Sequence, residues 1–166
     1  MGLSEASVLC KVSLGLVIAS FLFHTVGFSS NNWLTQHTSA GTYSVGLFKA
    51  CGLGICVDLD SSQPDWWTAT KAMEILGFLL GLACLVLLLV FIFVKTDLSV
   101  LHIGTLVAAF VSGVFILLGC IVFGAKREDT DLFPTYSIGW SYALTIIGSL
   151  LYLATGIVLL VDRMKG

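Results

Sequence analysis

The sequence predicts a mainly α membrane protein, a four-transmembrane-helix bundle carrying a small antiparallel β-sheet outside the bilayer. Three observations predict it. Hydrophobic residues make up 57% of the 166-residue chain and charged residues only 11%, against about 25% in soluble domains. Four long runs, 12–28, 75–94, 100–123 and 138–161, carry almost no charge. Between the first two lies a long loop with two closely spaced cysteines, Cys51 and Cys56. The chain therefore reads as a single four-pass domain, 1–166, with spans at about 8–28, 72–94, 100–124 and 138–161. Its loops are 29–71 and 125–137.

Each apolar run can cross a hydrocarbon core of about 30 Å, which needs roughly 20 residues at 1.5 Å per residue. Backbone groups in lipid must be satisfied within the segment, so the runs are helices. The first run is the weakest, diluted by Ser20, His24 and Thr25. It is read as a span and not as a cleaved signal peptide, because it is long and Ser29-Ser30-Asn31-Asn32-Trp33 offers no small-residue cleavage site. The start Met1-Gly2 lacks the Ser or Thr of a myristoylation signal.

The loop 29–71 is too long and too apolar for a plain connector. Tyr43 to Ala50 and Ile55 to Leu59 read as strands flanking Cys51-Gly-Leu-Gly-Ile-Cys56. The two glycines permit a tight reversal that brings the cysteines to disulfide distance. Two free thiols or half a metal site are the alternatives, although no further His or Cys lies at zinc-ligand spacing. Trp33, Trp66 and Trp67 are suited to anchoring at the membrane interface.

The second helix is expected to begin near residue 64. Ser62 with Asp65 resembles a capping box, and Pro64 suits a first turn. A helix from there to Val94 exceeds the hydrocarbon thickness, so about three turns stand outside and support the loop. There Lys71 and Glu74, three apart, form a candidate loop–bundle contact. They are spaced to pair with each other, and Lys71 is expected also to donate to loop carbonyls. A snorkelling interfacial Lys71 is the alternative. The second span, 76–94, holds fifteen Leu, Ile, Phe or Val and no charge. No charge is expected deep within any span.

Positive charge does not orient the chain. Lys11, Lys95, Arg163 and Lys165 on the terminal side balance Lys49, Lys71, Lys126 and Arg127 on the long-loop side. A disulfide does orient it, because disulfides persist outside the cell and in the secretory lumen. The loops are therefore expected to be extracellular and both termini cytoplasmic, at the plasma membrane.

Trp33, Gly46-Leu47-Phe48, Cys51 and Cys56, together with four spans, resemble the first-loop signature of the claudin superfamily. The short gap between cysteines, the stretch from Trp67 to Leu76 and Tyr136-Ser-Ile-Gly-Trp-Ser-Tyr142 look like its peripheral myelin protein, epithelial membrane protein and lens fibre membrane intrinsic protein branch. The resemblance covers nearly the whole chain. It implies a left-handed four-helix bundle under an extracellular antiparallel sheet, built from the first loop plus one strand of the second. Phe48 departs from the family's usual Trp, and Lys71 from its frequent Arg. No Asn-x-Ser/Thr sequon occurs, and the ending Asp162-Arg-Met-Lys-Gly166 does not match the family's scaffold-binding tail.

Little else carries chemistry. No phosphate loop, zinc motif or nucleophile elbow occurs, so an enzyme, a cofactor or a nucleic-acid partner is not expected. His24 and His102 fall near opposite ends of their helices, where interhelical hydrogen bonding or interfacial placement is expected; His37 lies in the loop. Small-residue pairs Gly15/Ala19, Gly77/Gly81, Gly104/Ala108 and Ala109/Gly113 allow close helix packing. Cys10, beside Lys11, is a candidate palmitoylation site, and Cys84 and Cys120 are read as packing residues.

The leading functional expectation is a non-enzymatic role in cell–cell adhesion or membrane organisation through the disulfide-braced loop. Its partners would be the bilayer and a second copy or another membrane protein, in the same or the apposed membrane. A barrier or cation-preferring pore, with Asp58, Asp60 and Asp65 facing the ions, is one alternative. An auxiliary subunit of an ion channel is another.

Overall fold

The structure, a computed structural model, describes residues 7–59, 63–94, 99–129 and 135–165, without the side chains of Glu128 and Asp129. Among these residues the chain forms α1 (Val8–Ser29), β1 (Leu34–Thr38), β2 (Gly41–Val45), β3 (Lys49–Gly52) and β4 (Ile55–Asp58). It continues through α2 (Asp65–Phe93), α3 (Ser99–Asp129), β5 (Ser137–Ile138) and α4 (Trp140–Lys165). All four helices are long and apolar enough to cross a membrane.

The helices close into a ring, with α1 against α2, α2 against α3, α3 against α4 and α4 against α1. Close approach of α1 and α4 depends on Gly27 and Gly148. A Cβ on Gly27 would lie 2.7 Å from the Ser141 carbonyl oxygen, and one on Gly148 would lie 2.9 Å from the His24 nitrogen. Small residues at such crossings let two backbones meet. Of the small-residue pairs read from the sequence, Gly77 and Gly81 face Ile116 and Tyr152 inside the bundle, and Gly113 faces Leu153. A Cβ on Gly15, by contrast, would meet nothing within 4 Å.

Many buried hydroxyls turn back on their own helices, as Ser13 does to the Leu9 carbonyl and Ser20 to that of Leu16. This satisfies a polar group without a partner helix. On the terminal side the Ser7 hydroxyl accepts from the Cys10 N–H and donates to Asp162 at 2.6 Å, tying the start of α1 to the end of α4.

The sheet is antiparallel throughout, in the order β4-β3-β2-β1-β5. Its last strand comes from the second loop, with Leu34 opposite Ile138. The expected strand from Tyr43 to Ala50 is in fact two strands, broken at Gly46-Leu47-Phe48. The N–H of Gly46 reaches the Lys49 carbonyl at 2.8 Å, which closes that turn. β1 lies in a stretch of the loop where the sequence pointed to no particular strand.

α2 begins beside residue 64 as expected but without the expected cap, and α3 ends later than expected. Pro64 is the residue before α2, and no side chain caps it. Its carbonyl accepts from the N–H groups of Trp67 and Thr68, so a capping box with Asp65 does not start this helix; Ser62 lies outside the described residues. α3 runs on past residue 124 to Asp129, with Lys126 and Arg127 in its last turn. Cations there suit the negative end of the helix dipole.

Candidate functional site

The sheet is mounted on the bundle by a buried aromatic core. Trp33, Leu34, Val45 and Leu47 from the loop pack with Trp67, Cys120, Phe123 and Tyr142 from the helices. Trp33 meets Phe123 edge-on with ring centroids 4.9 Å apart, and Tyr142 at 5.4 Å. Its indole N–H donates to the Gly27 carbonyl at 2.9 Å. The indole N–H of Trp67 donates to the Leu47 carbonyl at 3.0 Å. Both rings are fully buried, so neither serves as an interfacial anchor. Each indole finds an apolar environment and a main-chain acceptor inside the protein, which satisfies ring and N–H together.

The signature residues divide this work. Gly46 is a glycine because a Cβ there would come within 2.6 Å of the Ser30 carbonyl and the Asn31 Cα. Leu47 fills the core beside Trp67. Phe48 meets Phe28 edge-on at 5.4 Å. The Lys71 ammonium lies 5.7 Å from the centre of the Phe48 ring and donates to the Leu59 carbonyl at 3.2 Å. One lysine thus holds the end of the β3–β4 hairpin to the second turn of α2.

Cys51 and Cys56 stand directly opposite each other on β3 and β4 and are joined by a disulfide. The turn between the strands uses Leu53 at φ 52° and Gly54 at φ 80°. Two central residues with positive φ give the twist that a two-residue hairpin needs. The Asn31 amide donates to the Cys51 sulfur at 3.1 Å.

The acids do not gather into one surface. Asp58 stands 3.6 Å from the Lys49 ammonium, both largely exposed. Asp65 is exposed in the first turn of α2, where a negative charge suits the helix dipole. Asp60 lies outside the described residues. His37 is exposed and bonds to the Thr42 hydroxyl at 3.1 Å.

Glu74 does not pair with Lys71. It turns into the bundle, where its Oε2 meets His24 Nε2 at 2.9 Å, with both side chains fully buried. Cys120 Sγ lies 3.7 Å from the other carboxylate oxygen, and Tyr142 donates to the Cys120 carbonyl at 2.8 Å. A polar cluster therefore links α1, α2, α3 and α4 just beneath the sheet. It also places an ionisable pair inside a bundle expected to hold none. A signal for it was present: Trp67, Thr70, Glu74, Gly77, Gly81, Cys84 and Leu88 recur at spacings of three and four, and all are buried. Glu74 lies on that stripe, and Lys71 does not.

His102 lies at the other end of the bundle, 3.6 Å from Asp162 and against Phe91. Cys10 is 2% exposed and belongs to the buried cluster that includes Leu14, Val17, Leu88 and Leu159. Its thiol faces the bundle and not the bilayer or solvent, which removes the accessibility that an acylation site needs. No group of three or more His, Cys, Asp or Glu that could hold a metal ion occurs among the described residues.

A family model described as the PMP-22/EMP/MP20/Claudin family matches residues 6–159. No curated protein matches the chain significantly.

Proposed function

Because the chain belongs to the PMP-22/EMP/MP20/Claudin family, and is thus a multi-pass membrane protein, we propose that it is a non-enzymatic adhesion or membrane-organising protein. It acts at the plasma membrane, with the sheet outside the cell and both termini in the cytoplasm. The disulfide between Cys51 and Cys56 supports that orientation, since such bonds persist in oxidising compartments.

One observation carries the reading. The sheet is fixed to the bundle at three main-chain carbonyls, those of Gly27, Leu47 and Leu59, by Trp33, Trp67 and Lys71. A loop that only connected two helices would need no such fixing. A surface that must meet a partner in a defined pose gains affinity from it, because less freedom is lost on binding. The free edge suits a partner too. Leu59 N–H donates inward to the Phe48 carbonyl, so the alternating ladder directs the main-chain groups of Cys56 and Asp58 outward. An open edge of this kind accepts another strand.

A cation-lined pore draws less support, because Asp58 is partnered by Lys49. The test is expression in non-adherent cells, scored for aggregation, with native-membrane measurement of oligomeric state. Aggregation or a defined oligomer is expected. No aggregation together with a strictly monomeric protein would sink the proposal. Freeze-fracture images of the same cells separate adhesion arrays from the continuous strands of a barrier.

A further inference from the structure

The register of the sheet exposes an apolar surface that the adhesive reading does not use. Side chains alternate between faces along a strand, so Leu34, Val45, Ala50 and Val57, directly paired across β1 to β4, lie in one row on one face. Leu34 and Val45 are core residues against the helices, so this is the face that looks toward the bundle. The row does not stay covered. Leu34 is 0% exposed and Val45 5%, but Val57 on β4 is 57% exposed. Ile55 shares that face at 69%, and Leu53 at the turn is 62% exposed. The underside of the sheet therefore overhangs the bundle at the β3–β4 hairpin.

The height of the overhang follows from its mounting. Phe48 touches Phe28, and Phe28 stacks on Phe78 at 5.7 Å. Phe78 lies inside the apolar run of α2, three residues beyond its start at Ile75. Leu59, the residue after β4, donates to the Phe48 carbonyl at 2.7 Å and accepts from Lys71. Lys71 is only about 6 Å along the helix from Ile75. With the start of that run at the hydrocarbon boundary, the hairpin base falls within a headgroup layer about 5–8 Å deep. Charge agrees with that setting. No charged residue occurs from Ala50 to Val57, and the flanking Lys49 and Asp58 face each other.

We propose that Ile55 and Val57, with Leu53 at the turn, form a lipid contact on which the β3–β4 hairpin rests in the headgroup layer of the bilayer its own helices cross. Apolar side chains with an uncharged surround partition favourably into that layer. The contact would set the tilt of the sheet, and with it the direction in which the β4 edge and the outer face point.

The test uses the full chain in phosphatidylcholine vesicles containing a headgroup-labelled phosphatidylcholine. A photo-reactive p-benzoylphenylalanine replaces Ile55 or Val57, or replaces Thr42, which is exposed on the opposite face. An intact disulfide, checked by thiol alkylation, shows that each variant has folded, and two underside positions guard against failure of one. Labelled-lipid adducts at Ile55 and Val57 at least fivefold above those at Thr42 are expected. Yields equal to Thr42 would mean that the underside faces water and would overturn the proposal. Predominant crosslinks to a second copy of the chain would overturn it in favour of a protein contact.

Discussion

His24 and Glu74 meet 2.9 Å apart between α1 and α2, each without exposure to solvent. Breaking a buried hydrogen-bonded pair from one side strands the other polar group, at a cost of about 1–3 kcal/mol. Glu74→Ala is therefore expected to lower stability by that order in thermal unfolding of the detergent-solubilised protein. The double replacement His24→Phe with Glu74→Leu is expected to lie closer to wild type than Glu74→Ala. A Glu74→Ala variant as stable as wild type would show that the pair contributes nothing to holding α1.

Trp67→Phe keeps most of the apolar contact with Phe123 but removes the donor to the buried Leu47 carbonyl. An unpaired buried acceptor costs about 1–3 kcal/mol. Faster amide exchange should appear in β2 and β3, with the middle of α4 unchanged. A uniform change across the molecule would contradict a local role.

Replacing Cys51 and Cys56 together by Ser should lower stability by about 2 kcal/mol, the chain-entropy expectation for so short a loop. The larger effect is expected in the hairpin itself. Amides of Ile55 and Val57, on the side of β4 that faces β3, should lose protection first. Hydrogen exchange with mass spectrometry reads both. Unchanged protection in 52–57 would show that the β3–β4 ladder holds without the bond.

Lys71→Met removes the donor to Leu59, whereas Lys71→Arg retains a cation and several donors. Protease sensitivity near residue 59 should rise for Lys71→Met and remain near wild type for Lys71→Arg. Equal sensitivity in the two variants would mean that the Leu59 contact does not restrain the loop.

Gly148→Ala places a Cβ 2.9 Å from the His24 nitrogen. Overpacking of this kind costs about 1–3 kcal/mol. The expected readout is loosening of α1 from α4, seen as faster exchange in α1. Gly15→Ala, which meets open space, is the matched control and should leave exchange unaltered.

The helices were legible because lipid imposes one solution on a long uncharged run: 76–94 has no other reading. The cysteine hairpin was legible because Gly52-Leu53-Gly54 between two cysteines carries its own turn chemistry. β1 was not, since Leu34-Thr-Gln-His-Thr38 has one apolar residue and no alternation. Its strand character comes from partners on both sides, Gly41–Val45 and Ser137–Ile138. Glu74 misled through its nearest neighbour. A pairing rule for adjacent turns favoured Lys71, while the buried stripe running down α2 carried the carboxylate to His24. Tertiary burial outranked the local pair.

The pairing of β1 with β5 has a consequence for biogenesis. Leu34 waits for Ile138, so about a hundred residues must be made before the strand gains its second neighbour, roughly 5–20 s at ordinary elongation rates. Through that interval one side of β1 stays open. The last helix is inserted only after β5 has emerged. Closure of the sheet is therefore a late event in the making of the chain, and until then β1 has one paired edge and one open one.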